Sequence, residues 1–252
     1  MLDIRKVAFH DAIPLSGIPA LLVPSLSATV ISDLHLGYEE ELYKEGILLS
    51  KTQVEDLQKK LEEMHRLVST KRLIINGDIR HGFGKITRSQ RKELERFFLH
   101  ASGYYEEILV IRGNHDNYLK SVLNDLKIQL LDQLYENEIL IMHGHKEHAE
   151  FVKKSKIIII GHEHPALILR DEHGQQSKFL AFLYLPTILK NILILIPPFS
   201  KFAGGNVITN DKRTLLSIVS RKYAILEEGI PFVIYEGLGT VELPRMAFLS
   251  YG

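Results

Sequence analysis

Three short apolar runs, at residues 29–31, 72–75 and 108–111, alternate with two stretches of helical periodicity, and nothing else in the chain limits its fold as much. Within residues 50–68, Val54, Leu57, Leu61, Met64 and Val68 recur at the spacing of an amphipathic helix, with Lys and Glu between them. Residues 89–99 predict a second helix. Strand–helix–strand alternation builds parallel strands, whose carboxyl ends line up on one edge of a sheet, where open α/β folds bind ligands. A run at residues 20–23, joined to 29–31 through the turn-like Pro24-Ser25-Leu26-Ser27, adds a neighbouring strand.

Beyond residue 115 the pattern changes. Apolar runs at 138–142, 156–160, 166–169, 179–185, 192–196, 218–224 and 231–235 predict strands with few helices between them, hence a second sheet. The expected class is α/β: two sheets face to face with helices outside, in a single domain over residues 1–252. The most apolar stretch, 179–198, is interrupted by Pro186, Lys190 and Asn191, short of the ~20 apolar residues a membrane helix needs. It reads as two buried strands. The first 24 residues carry early charges and three prolines, a poor signal-peptide pattern, so no membrane association and a cytoplasmic location are expected. The chain has no Cys, which removes disulfides, thiolate ligands and Cys nucleophiles and leaves His and carboxylates to bind metal.

Five motifs follow one another, each after an apolar run: Asp33-Leu34-His35, Gly77-Asp78, Gly113-Asn114-His115-Asp116, His143-Gly144-His145 and Gly161-His162-Glu163-His164. Singly, each is a common turn sequence. Together they bring Asp, Asn and His to strand ends, the O and N donors that suit divalent Mn, Fe or Zn. Asp33 and His35 lie two apart, as do His162 and His164, so in extended chain each pair would project to one side. Gly77 permits a close turn before Asp78, whose carboxylate is able to bridge two cations. Asn114 offers a side-chain oxygen, and His115 beside it is placed to act on a reacting phosphate.

In this order D-x-H, G-D, G-N-H-D, H-G-H and G-H-x-H resemble the calcineurin-type metallophosphoesterase superfamily, across about residues 28–165. ISDLHLGYE, NGDIRHGFG, GHEHPALILRDEHG and PPFSKFAGGNV further resemble the ICC-like phosphoesterase group, which includes DNA-ligase-associated proteins of the PdeM type. The resemblance implies a four-layer metallophosphoesterase-type sandwich, two mixed β-sheets flanked by helices. It also implies two divalent metal ions, Mn first by analogy, with Fe, Zn, Ni or Co as alternatives. Carried over residue by residue, it gives Asp33, His35, Asp78 and His164 to one metal and Asp78, Asn114, His143 and His162 to the other. Asp78 is then the bridge and His115 the catalytic imidazole. His145 is an alternative to His143 as ligand, or a substrate contact beside Asn114. Asp116 either orients His115 or closes the turn. Gly204-Gly205 and Pro197-Pro198 read as a loop that closes the sandwich or walls the cleft.

Protein-phosphatase relatives carry Asp three residues after the bridging aspartate, whereas this chain has His81, as SbcD-type repair nucleases do. The resemblance therefore favours His81 as a second catalytic imidazole and a phosphodiester with an alkoxide leaving group. Arg80, Lys85, Arg88, Arg91 and Lys92 accumulate with no acidic residue from 79 to 92, as a local basic surface for substrate or the solvated face of a helix. Arg80 is the substrate-binding candidate among them. Phe83, Tyr104 and Tyr105 are candidates to stack on a base, or packing residues. Lys plus Arg and Asp plus Glu both total 31, so no overall field favours nucleic acid. The expected substrates are phosphodiesters such as DNA or RNA ends or nucleotides, with a repair-protein partner implied by resemblance and the oligomeric state open. The alternatives are a phosphomonoesterase acting on small phosphorylated compounds, and a silent protein-binding scaffold like a retromer subunit of this fold. The intact motif set argues against the scaffold.

Overall fold

The computed structural model describes residues 2–47 and 50–249. The chain builds its two sheets one after the other. A short helix α1 (Ile4–Lys6) runs into a π-helical turn, Val7–Asp11, and leads to β1 (Ile13–Pro14), β2 (Leu21–Val23), β3 (Ala28–Ile31), β4 (Arg72–Asn76), β5 (Glu107–Ile111) and β6 (Gln129–Leu131). These six lie side by side in sequence order, antiparallel as far as β3 and parallel from there on. Helices α2 (Tyr38–Lys44), α3 (Gln53–Leu67), α4 (Arg88–Ala101) and α5 (Leu119–Asp125) supply the crossovers. Asp132 alone then separates β6 from β7 (Gln133–Glu136), the first strand of the second sheet.

That second sheet continues with β8 (Ile139–Met142), helix α6 (Ala149–Lys154), β9 (Ile157–Ile160), β10 (Pro165–Arg170), β11 (Gln176–Pro186), β12 (Ile192–Leu195) and β13 (Asn206–Val207). After helix α7 (Ile218–Tyr223), β14 (Ile230–Tyr235) and β15 (Gly239–Glu242) complete it. Its order is β13-β10-β11-β12-β9-β8-β7, with β14 on β11 and β15 on β14. Strands β8, β9 and β12 are parallel and the hairpin pairings antiparallel, so both sheets are mixed.

Alternation along the strands shows how the layers pack. In β9, Ile157 and Ile159 enter the core between the sheets, where Val30, Ile74, Leu109, Phe182 and Tyr184 also lie. Ile158 and Ile160 face the opposite way, onto Val152 of α6 and Val219 and Tyr223 of α7. Both faces are covered, so the strand reads as an unbroken IIII run rather than an alternating one. The outer face of the first sheet packs on Val54, Leu57, Leu61 and Met64 of α3 and on Leu94, Phe97 and Phe98 of α4. The result is the expected four-layer sandwich. Helix α4 starts at a capping box, with the Gln90 N–H donating to Thr87 Oγ1 at 3.1 Å and the Thr87 N–H to Gln90 Oε1 at 3.3 Å.

Residues 218–224, expected as a strand, form α7 instead. Ser217 caps it, accepting the Val219 N–H, and the buried side chains Val219, Ser220 and Tyr223 fall at helical spacing with Arg221 and Lys222 outside. The short elements α1, β1, α2, α5, β6, β7, α6, β13 and β15 also lie outside the expected helices and strands. Among the described residues no helix is long and apolar enough to cross a membrane.

Candidate metal centre

All five motifs leave the carboxyl ends of strands that run parallel within their sheets, β3, β4 and β5 in one and β8 and β9 in the other. Pairing continues past the strand ends: Asp33 N donates to Gly77 O (3.1 Å), His35 N to Asp78 O (2.9 Å) and Leu36 N to Ile79 O (2.8 Å). The two-residue spacings do not work through extended chain. Asp33, His35, Asp78, His162 and His164 all sit at φ between 46° and 63°, in the left-handed region. Each such residue costs of order 1–3 kcal/mol unless its surroundings impose the conformation, and such residues cluster at functional sites. Those cross-loop bonds hold Asp33, His35 and Asp78, and the His162 N–H to Asp33 Oδ2 (3.3 Å) and the Asn206 N–H to His164 O (2.7 Å) hold the other two.

The kinks produce two groups of side chains, Asp33 with His35 and His164, and Asp78 with His143 and His162, each offering one donor atom per residue within 4.8 Å of the others. Asp33 Oδ1 lies 3.1 Å from His164 Nε2, and His35 Nε2 lies 3.5 Å from it. Asp78 Oδ2 lies 3.3 Å from His143 Nε2 and 4.0 Å from His35 Nε2, which sets it between the groups. Asn114 Oδ1 joins the second group, 3.2 Å from His143 Nε2.

Hydrogen bonds on the far side decide what these atoms can do. His143 Nδ1 donates to Asn76 O at 3.0 Å and His164 Nδ1 to Ala203 O at 2.9 Å. Each ring thus turns Nε2 toward the carboxylates, where acceptors meet acceptors and a positive charge is required. Burial lowers the His143 imidazole's pKa, but Asp78 and Asp33 outweigh it and lift it to about 9. Burial likewise raises the Asp33 and Asp78 carboxyls, and the facing imidazoles outweigh it and hold both below the usual range. His35 and His162 are pushed down to about 4, chiefly by burial, and stay neutral. Asp33 Oδ1 is buried, and with His164 Nε2 unprotonated, as a metal ligand must be, it has no hydrogen-bond partner in the protein. Two carboxylates, an amide oxygen and four imidazoles, His35 and His162 already neutral and His143 and His164 free to give up a proton to the incoming charge, fit a pair of divalent cations.

The supporting residues went unread in the sequence. Asn76, the polar end of an otherwise apolar strand, donates Nδ2 to Met142 O (3.1 Å) in the other sheet, and its carbonyl accepts from His143 and from Ser32 Oγ (2.9 Å). Ser32 Oγ also bonds Asp33 Oδ2. Glu163, buried between two ligand candidates, accepts the Leu216 and Ser217 N–H groups at 2.7 and 2.8 Å, fixing the entry to α7. The Pro197-to-Gly205 loop supplies Ala203, so it orients His164. Gly113 lets two loops close on each other, since a Cβ there would stand 2.1 Å from Asp78 Oδ1.

His115 and His81 lie beside the two groups, their rings 5.8 Å apart and 15° from parallel. His115 Nε2 is 3.9 Å from Asp78 Oδ2, and its Nδ1 is buried without a partner. Asp116 does not orient it: its carboxylate accepts Ile79 N and Gly113 N, both at 2.8 Å, and closes the turn. Burial, then Asp78, pushes that carboxyl up to about 7. His145 stands against His143 and His162, ring centroids 5.4 and 6.3 Å away.

Arg80, expected at the substrate, is buried with 2% exposure, and its guanidinium donates to Gly84 O (2.8 Å), Asn117 O (3.3 Å) and Gln90 Oε1 (3.4 Å). Both terminal nitrogens are engaged by backbone and amide oxygens of the surrounding loops and of α4, while Nε is buried without a partner, so the residue acts as a loop clamp. Arg91 pairs with Glu95 and Asp125. Of the basic run, exposed Lys85, Arg88 and Lys92 are left with no ion pair among the described residues. Tyr104 and Tyr105 pack against His65, while Phe83 is exposed.

A family model for the calcineurin-like phosphoesterases matches residues 26–185. Among solved structures, nuclease MPE of Pseudomonas putida shares the fold, with a TM-score of 0.63 at 19% identity over 92% of this chain and 99% of that one. Yfce, a phosphoesterase from E. coli, aligns with a TM-score of 0.43 at 15% identity over 86% of this chain and 97% of that one. No curated protein matches by sequence.

Proposed function

We propose that this chain, which belongs to the calcineurin-like phosphoesterase family and is a metal-dependent phosphoester hydrolase, is a phosphodiesterase with a dinuclear centre. Asp33, His35, Asp78 and His164 would hold one cation and Asp78, Asn114, His143 and His162 the other, with Mn the first to reconstitute. Divalent cations so held supply Lewis-acid activation of water and neutralise charge on the phosphoryl oxygens.

The chain's own residues do the rest. Asn76 O and Ala203 O keep His143 and His164 turned inward. Burial holds His115 and His81 below the ordinary imidazole value, which makes each a readier proton donor once protonated. His115, once it has taken a proton from solvent, gives it to the departing alkoxide and returns to neutral imidazole, and His81 stands alongside. The observation that carries the diester reading is this pair of near-parallel imidazoles outside both ligand groups. A poor leaving group gains most from such a pair. His145 and Asn114 would contact the phosphoryl oxygens. That the P. putida protein of this fold is a nuclease agrees with nucleic-acid ends or nucleotides as substrates.

The test is hydrolysis of bis-p-nitrophenyl phosphate against p-nitrophenyl phosphate by chelated, Mn-reconstituted protein, with Asp78→Asn as the contamination control. Diester preference that disappears in the variant is expected. Preference for the monoester would overturn the reading.

A further inference from the structure

One large apolar side chain at the rim of the centre is held in place without being covered. Phe83 is 60% exposed, yet its ring stacks on the His115 imidazole at 4.1 Å between centroids and 28° between planes. One face of the ring is occupied and the other meets solvent. The loop bearing it is fixed from three directions. Arg80 donates to Gly84 O and Asn117 O, tying the segment after Phe83 to the loop after His115. His81 N donates to Leu36 O at 2.8 Å. The Thr87–Gln90 capping box then anchors the far end in α4. An aromatic fixed before its ligand arrives loses little entropy on binding, which is what a stacking surface needs.

Cations follow it along the chain. Lys85 lies two residues on, and Arg88 and Lys92 stand one turn apart on α4, exposed and unpaired among the described residues. The acidic groups that approach this loop are already engaged: Glu40 and Glu41 pair with Lys44, and Glu40 also accepts from Thr87 Oγ1.

We propose that Phe83 is the stacking site for a nucleobase flanking the scissile phosphate, with Lys85, Arg88 and Lys92 taking the phosphates beyond it, so that the diester cleaved is a nucleotide. The proposal rests on the phosphodiesterase reading above and narrows its substrate class. Every base has a π face, so this recognition tolerates sequence. Backbone phosphates add affinity that salt weakens.

Thymidine 5′-monophosphate and deoxyribose 5-phosphate differ only by the base, and calorimetric titration of both into Mn-loaded protein isolates its contribution without turnover. The base is expected to tighten binding about tenfold, a ratio that falls to within about twofold in Phe83→Ala and is kept in Phe83→Trp. A ratio near one in the unmodified protein, or one preserved in Phe83→Ala, overturns the proposal. The chromogenic pair decides the diesterase reading separately. Octathymidylate with phosphorothioate linkages, which resist cleavage, then distinguishes a strand from a free nucleotide. Tighter binding than the monophosphate, lost in a triple Lys85→Ala, Arg88→Ala, Lys92→Ala variant, identifies a strand. No gain with length overturns the role of the three cations and leaves a mononucleotide diester as the class.

Discussion

The centre depends on residues whose conformations their side chains do not favour. Asp33, His35, Asp78, His162 and His164 occupy the left-handed region that glycine enters freely. They stood out in the sequence because a proposed pair of divalent cations restricts which side chains would serve; their backbone angles did not, because Asp and His, though enriched among non-glycine residues at positive φ, mostly adopt negative φ. Asp78→Asn removes the charge placed between the two groups and is expected to lower bound metal and reduce turnover by at least about 10³-fold. Metal analysis beside the rate checks it, and full activity would remove Asp78 from the bridge. His115→Ala should keep both metals and lose about 10²–10⁴-fold, with a smaller loss for a good leaving group. Loss of metal in that variant would show His115 to be a ligand instead. At Gly113, alanine would press its Cβ to 2.1 Å from Asp78 Oδ1, so Gly113→Ala should lower metal content and stability together.

Between elements, the contacts that matter lie where one sheet touches the other. Asn76 ends β4, donates to Met142 O of β8 and accepts from His143. Asn76→Ala strips the cross-sheet bond from a buried carbonyl and should cost about 1–3 kcal/mol in urea unfolding, with the slope unchanged. An unaltered midpoint would make the bond dispensable. The strand–helix alternation of residues 28–115 was legible because amphipathic periodicity and strand length agree there. Residues 218–224 misled because Ile218, Val219 and Ala224 suggest a strand, while the deciding feature is the Ser217 cap, itself held by Glu163 across the fold. Strands β6 and β7 were missed because GlnLeuLeu and GlnLeuTyrGlu are short, partly exposed edge segments with little apolar contrast.

Across the whole molecule, the centre is a joint. Asp33, His35, Asp78 and Asn114 come from the first sheet's loops, and His143, His162 and His164 from the second's. Cations bound there favour the closed sandwich over the unfolded chain. Chelation of protein held at about a thousandfold excess of metal over Kd should remove about 4 kcal/mol for each cation bound, roughly 8–16 °C of melting temperature per cation for a chain of this size. Calorimetry with and without chelator reads this directly, and an unmoved melting temperature would detach the metals from the sandwich. The order of strands carries a further consequence for synthesis. All of the first sheet, through Leu131, leaves the ribosome before the second begins. At translation speeds of about 5–20 residues per second, Val30, Ile74, Leu109 and Ile111 gain their full cover only stepwise, over roughly 5–20 s as β8 through β14 emerge. The three imidazoles that complete the centre arrive within that interval, so a nascent chain halted before His143 exposes most of an apolar sheet face and a half-built metal cradle at once.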